Sequence, residues 1–133
     1  MTDVLKELAR YRMDQAREAA RAARALIEGS LFRDSVNRSY YAMFYAVLAL
    51  LATRALGTSK HSAAISLFDR EFVKDGLVSR ELSRWLHTAL DKRLKADYAE
   101  EPVLVTAEEA ERLADEAGRF IAAVADYLSG IGL

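Results

Sequence analysis

Apolar residues recur along most of this chain at three- and four-residue intervals, the signature of amphipathic helices, with short polar segments between the stretches. One stretch departs from the pattern. From Tyr40 to Ala52 there is no charged residue, so a helix built from it is apolar on every side and must be enclosed by other elements. It is expected to be the central helix. Asn37 and Arg38 precede the apolar run and, at about 100° per residue, fall on the same side as Tyr41 and Tyr45. The buried helix thus gains a polar, aromatic entrance.

The remaining elements follow from periodicity and capping signals. A first helix is expected from about Asp3 to Glu28, ended by Gly29, with Leu5, Leu8, Tyr11, Ala19, Ala23 and Leu26 inward. Ser30 is placed to cap the central helix and Gly57 to end it. Thr58 or Ser59 then caps a third helix to about Lys74, with Ala64, Ile65, Leu67, Phe68 and Phe72 inward and Gly76 as its stop. Ser79 caps a fourth, with Leu82, Trp85, Leu86, Ala89 and Leu90 on one face. The chain breaks between Tyr98 and Val105 around Pro102, the only proline. Thr106 and Glu109 form a capping box that opens a last helix to about Leu128, with Leu113, Phe120, Ile121, Val124 and Leu128 inward and Gly130 as its stop. No strand pattern, internal repeat or low-complexity segment appears. Short connections between helices favour antiparallel neighbours, so the expectation is an all-α fold: an antiparallel up-and-down bundle of about five helices, one domain over residues 3–129.

Composition narrows the chemistry. A chain of 133 residues can bury a core without covalent staples. It has no cysteine, which excludes disulfides, thiolate metal sites and thiol nucleophiles. The two histidines, His61 and His87, are far apart and show no His-Glu-x-x-His spacing, so no metal or other cofactor is expected. No glycine-rich phosphate loop and no serine, histidine and acid arrangement is visible. The longest uncharged run, Ser39 to Thr53, is shorter than the roughly 18 to 20 apolar residues that cross a bilayer, and no signal peptide pattern opens the chain. A cytoplasmic protein without membrane association is expected.

A net charge of −1 gives no general affinity for nucleic acid, but its distribution is uneven. Cations outnumber acids as far as Lys60, and acids dominate from Glu101 onward. Such asymmetry can guide an anionic ligand or a self-complementary assembly. Lys6, Arg10, Arg17, Arg21 and Arg24 fall in one arc of the first helix, interrupted by Asp3, Asp14 and Glu28. That arc is read as a solvated face, with a phosphate-contacting stripe as the functional alternative.

The sharpest local anomaly is on the fourth helix. Arg93 projects into the middle of its apolar face, with Asp97 one turn further on. A guanidinium aimed at a core has to be paired or functional, because an isolated buried charge is very costly. The structural reading is an i,i+4 ion pair reaching Tyr41 or Tyr45 and fastening the fourth helix to the central one. The functional reading is a partly buried arginine beside tyrosines that holds a phosphate while a base stacks nearby. His61 is read as a capping or packing residue, and His87 as a surface histidine with Asp91 one turn away.

Three segments taken together resemble the HEPN domain: the Arg-Ser-Tyr-Tyr-Ala-Met-Phe-Tyr-Ala run (Arg38 to Ala46), Ser-Lys-His-Ser (Ser59 to Ser62) leading to Ser-Leu-Phe and Glu-Phe-Val, and Arg-Leu-Lys-Ala-Asp-Tyr (Arg93 to Tyr98). The resemblance is to the small stand-alone HEPN proteins of bacteria and archaea. It implies a helical bundle that commonly forms a homodimer and is often encoded beside a minimal nucleotidyltransferase in toxin and antitoxin pairs. Many members are metal-independent ribonucleases with an Arg-x4-6-His motif, whose histidine serves in acid-base chemistry and whose arginine steadies the phosphate. Arg93 falls at the motif arginine, but Tyr98 stands where histidine is expected. A tyrosine, with an ordinary pKa of about 10, is a poor general base at neutral pH. The spacings Arg54 to His61 and Arg80 to His87 also satisfy the loose motif and are read as chance.

The resulting expectation is a HEPN-like module without the usual catalytic histidine. It would bind a nucleotide, RNA or a nucleotidyltransferase partner through Asn37, Arg38, Tyr41, Tyr45, Arg93, Asp97 and Tyr98. The rival is a metal-independent endoribonuclease toxin that uses Arg93 with His87 or Tyr98. A third idea makes Tyr98 the acceptor of an adenylyl group from a partner nucleotidyltransferase.

Overall fold

A computed structural model describes residues 1–133. Five helices follow one another with no strand: α1 (Asp3–Glu28), α2 (Phe32–Ala52), α3 (His61–Phe68), α4 (Arg80–Tyr98) and α5 (Ala107–Gly130). This is the all-α bundle that the periodicity predicts. As expected of its uncharged body, α2 is the central helix and packs against all four others. A cluster of 28 buried residues drawn from every helix forms the core. No helix is long and apolar enough to cross a membrane.

The face that α1 buries differs from the expected one. Ala9, Met13, Ala16, Ala19 and Ala23 point inward, whereas Tyr11 is 56% exposed and Leu8 lies at the surface. The reason is steric. A stripe of small residues, Ala9, Ala16, Ala19 and Ala23, lets α1 approach α2 more closely than Leu8 and Tyr11 would allow. Ser35 locks this pair, its hydroxyl donating to the Ala23 carbonyl at 2.8 Å.

Three expected helix signals lie elsewhere. Ser30 does not cap α2: it adopts φ 59° and closes α1, with Leu31 N–H donating to the Leu26 carbonyl at 2.8 Å, while Leu31 occupies the α2 cap position without a side-chain bond. The chain after α2 is closed by Ala55 at φ 55° rather than by Gly57, and Leu56 N–H reaches the Leu51 carbonyl at 3.0 Å. At the C-terminus Gly132, not Gly130, takes the left-handed conformation, with Leu133 N–H on the Leu128 carbonyl. Bonds of this kind pair carbonyls of the last helical turn with the chain that follows.

Other signals fall where expected. Ser79 accepts from Glu81 N–H, Thr106 accepts from Glu109 N–H, and Gly76 has φ 75°. The capping box at Thr106 is one-sided, because the Glu109 carboxylate turns to Lys92 at 3.9 Å. The cap of α3 differs from expectation: Lys60, rather than Thr58 or Ser59, takes the cap position without a side-chain bond, and Thr58 accepts from Lys60 N–H. Beyond Phe68 the helix widens into one π-helical turn, Asp69–Val73, ending close to the expected Lys74. Arg54 lies over the Phe72 ring at 4.6 Å and donates to the Glu71 carbonyl at 3.3 Å, giving the widened turn an external partner.

Candidate functional site

The first turns of α2, the end of α4 and the start of α3 converge. On α2 the helix spacing sends Tyr40 into the core, fully buried, and leaves Asn37, Arg38, Tyr41 and Tyr45 half-buried along its edge. On α4, Arg93 projects from the apolar face as its spacing demands, and its side chain is only 15% exposed. The guanidinium carbon lies 5.4 Å from the Tyr40 ring centroid and 5.1 Å from that of Tyr41, so the cation is held largely by aromatic faces.

Arg93 makes no hydrogen bond. Its Nε is enclosed and has no partner, because the Asp97 carboxylate stops at 3.8 Å, an ion-pair contact too long for a hydrogen bond. The expected Arg93–Asp97 pair is therefore present, but it does not saturate the guanidinium. Asp97 also accepts from Asn37 Nδ2 at 3.4 Å, and Asn37 Oδ1 accepts from Arg38 at 3.3 and 3.0 Å. A polar chain thus runs Arg38–Asn37–Asp97–Arg93 across the gap between α2 and α4. Arg38 lies over Tyr41 at 4.8 Å, on the same ring as Arg93. Tyr45 is 5.8 Å from Tyr41, and with Arg38 it lines a cleft of about 250 Å³ against Gln15, Glu18, Ala19 and Ala22 of α1.

His61, read from sequence as a capping or packing residue, belongs to this cluster. Its ring stacks on Phe44 at 4.1 Å, and Nδ1 lies 3.0 Å from the Tyr40 hydroxyl. Burial pushes the Tyr40 phenol up to about 12, against the opposing pull of the Arg93 charge. Burial, reinforced by Arg93, holds His61 below its ordinary value. A phenol so firmly protonated is the natural donor to a neutral imidazole, so we assign Nδ1 as the acceptor and place the ring proton on Nε2.

Two expected candidates lie apart. Tyr98 is 70% exposed and makes no side-chain hydrogen bond. At five residues beyond Arg93 it points about 140° away round the helix. His87 is bound through Nε2 to Asp69 at 2.7 Å on the π-helical turn, where Ser83 also donates to Asp69 at 2.7 Å. The partner expected for it, Asp91, is paired with Lys95 at 3.1 Å instead. Asn37, Arg38, Tyr41, Tyr45, Arg93 and Asp97 are brought together. Tyr98 and His87 are not among them. On the outer arc of α1, Arg10, Arg17, Arg21 and Arg24 are exposed and Lys6 is half-buried, and Arg17 contacts Asp14 at 3.8 Å.

The resemblance drawn from three separated segments has an independent counterpart: a family model of the HEPN domain matches residues 9–127. The chain belongs to the HEPN domain family. Its HEPN relatives are small prokaryotic proteins. A UPF0332 protein of Thermotoga maritima is 39% identical over 95 residues, 71% of this chain and 72% of that protein. A Methanocaldococcus jannaschii protein bearing the name "Putative toxin" is 39% identical over 106 residues, 80% of this chain and 78% of that protein. A UPF0332 protein of Gloeobacter violaceus is 35% identical over 117 residues, 88% of this chain and 93% of that protein. In this HEPN chain, Arg38 and Arg93 bring two cations to the Tyr41 ring, with the Asp97 carboxylate nearby. Chemically, such a site suits an anion joined to a planar group.

Proposed function

We propose that this protein is a HEPN module of the toxin type that binds the phosphate of a nucleotide or RNA through Arg93 and Arg38, with Tyr41 as a stacking face. The observation that carries this reading is the state of Arg93: a guanidinium mostly buried over two tyrosine rings, without a single hydrogen-bonded acceptor. Such a donor is costly to leave unsatisfied, and a phosphate oxygen supplies what Asp97 at 3.8 Å does not. The name borne by the Methanocaldococcus jannaschii relative supports the toxin type. The usual HEPN catalytic histidine is replaced by Tyr98, which favours binding over cleavage. A homodimer would set two such sites beside each other.

The test is equilibrium binding of adenosine nucleotides and of an oligoribonucleotide to the wild-type protein, Arg93→Ala and Arg38→Ala. Loss of affinity in both variants is the expected result. Affinity unchanged in both would sink the reading. Incubation of metal-free protein with RNA separates binding from the ribonuclease alternative: a product with a cyclic phosphate, absent with Arg93→Ala, would establish cleavage.

A second reading concerns a nucleotidyltransferase partner and is favoured by the exposure of Tyr98, whose hydroxyl is open to an enzyme. Co-expression with a minimal nucleotidyltransferase, followed by intact-mass measurement, would show an added adenylyl group on the wild-type protein and none on Tyr98→Phe. An unmodified wild-type mass would remove this reading.

A further inference from the structure

We propose that His61 joins Arg93 and Arg38 as a phosphate-binding residue of this site, gripping the phosphate as a protonated imidazole so that binding takes up a proton. This deepens the reading of Arg93 as a phosphate-binding residue and rests on it. The two side chains come from elements 32 residues apart in sequence, yet both lie against Tyr40 and Tyr41. Arg93 is 5.4 and 5.1 Å from their ring centroids, and the His61 ring is 6.0 and 5.7 Å from them. The same two rings, set edge to face at 74°, thus hold both a cation and an imidazole.

The groups around His61 are aromatic or cationic. From α2 it faces Tyr40, Tyr41 and Phe44, with Arg38 beyond Tyr41; from α4 it faces Arg93, with Asp97 behind at 3.8 Å from Nε; on its own element Lys60 precedes it. No carboxylate pairs with His61, in contrast to His87, which has Asp69 at 2.7 Å. With a cation beside it and no anion, the free ring is neutral. An arriving phosphate supplies the missing anion to both groups and reverses the balance at the imidazole.

The Tyr40 contact permits the change without rearrangement. A hydroxyl both donates and accepts, so when Nδ1 gains the proton, the 3.0 Å contact persists with the roles exchanged. Nε2–H, which has no partner within the protein, is a donor in either state. Stacking on Phe44 at 4.1 Å keeps the ring in place. One proton enters from solvent, and no bond to the ligand is made or broken.

An oligouridylate is the probe, because neither its diesters nor its bases titrate between pH 5.5 and 8. Calorimetric titration in buffers of different ionisation enthalpy counts the protons taken up on binding. The expected result for the wild-type protein is net uptake near neutral pH, with affinity rising from pH 8 to 5.5 by up to about tenfold for each unit by which the ligand raises the His61 pKa. His61→Gln should bind with pH-independent affinity and no such uptake. As a check that needs no variant, side-chain NMR of His61 in the wild-type protein should show its titration moving to higher pH on adding probe. Undiminished uptake in His61→Gln, or an unmoved His61 titration in saturated wild-type protein, overturns the proposal while leaving Arg93 as a binding residue, provided Arg93→Ala still abolishes binding. If Arg93→Ala binds normally, the parent reading and this one fall together.

Discussion

Arg38 and Arg93 come from different helices and meet over one ring, with guanidinium carbons 4.8 and 5.1 Å from the Tyr41 centroid. Two cations at one ring concentrate positive charge there, and a bound anion offsets it. Each cation–π contact contributes about 0.5–1 kcal/mol at a partly exposed position. Tyr41→Leu should therefore weaken oligouridylate binding by about five- to tenfold, while Tyr41→Phe, which keeps the ring, should bind within about twofold of wild type. Equal losses in the two variants would assign the role to the hydroxyl instead.

Arg93 is expected to serve binding at the expense of packing. A buried donor without an acceptor costs about 1–3 kcal/mol, which offsets what the two tyrosine rings contribute. Arg93→Met fills the same volume without the orphaned N–H. Urea unfolding should place its stability within about 1 kcal/mol of wild type or above it, with oligouridylate binding lost. A loss of more than about 3 kcal/mol would show that the Asp97 contact holds the bundle together.

Ser35 and Ser39 are both fully buried on α2 but differ in their bonding. Ser35 donates to the Ala23 carbonyl at 2.8 Å, whereas the Ser39 hydroxyl has no partner. Ser35→Ala is expected to cost about 1 kcal/mol, while Ser39→Ala should be neutral or stabilising. Chemical denaturation of the two variants side by side checks the contrast.

Ala55 holds φ 55°, where a Cβ is strained, and Gly76 holds φ 75° with open space around it. Ala55→Gly should raise stability, and Gly76→Ala should lower it, each by about 1 kcal/mol. Thermal melting gives both signs in one experiment.

Folded-state burial and the Arg93 charge hold His61 below its ordinary 6.5. Below about pH 6.5 the unfolded chain then binds more protons than the folded one. The contribution of His61 is accordingly complete above that pH and is lost as pH falls through the lowered folded value. Glu116, raised by burial from an ordinary 4.5, works in the opposite sense, favouring the folded state at low pH and losing that contribution as pH rises through its folded value. The readout is therefore the difference between proteins: melting temperature should fall less in His61→Gln than in wild type between pH 7.5 and 5. Parallel curves would place the titrating group elsewhere.

Much of the bundle was legible because helix periodicity is local. The apolar run of α2 required enclosure, and it is enclosed by four helices. Arg93 was conspicuous for the same reason, since its angular position on α4 follows from spacing alone. Ser79 and Thr106 cap the residues that follow them, so their role needs only three or four residues of context. Legibility failed where one helix had to be seen against another. The inward face of α1 was misplaced because Leu8 and Tyr11 outweigh Ala9 and Ala16 in hydrophobicity, yet the small side chains are the ones that let α1 lie close to α2.

The sequence by itself determined the five helices, the central one, the HEPN resemblance and the placement of Arg93 against an apolar face. Tertiary structure alone decided that Asn37 bridges to Asp97, that Ser30 and Ala55 take left-handed turns, and that His61 meets Tyr40 and Arg93. The division has one physical cause. Spacing along a helix fixes direction round its own axis, but the register of α3 and α4 on α2 is set by how side chains interlock, and no local pattern records it.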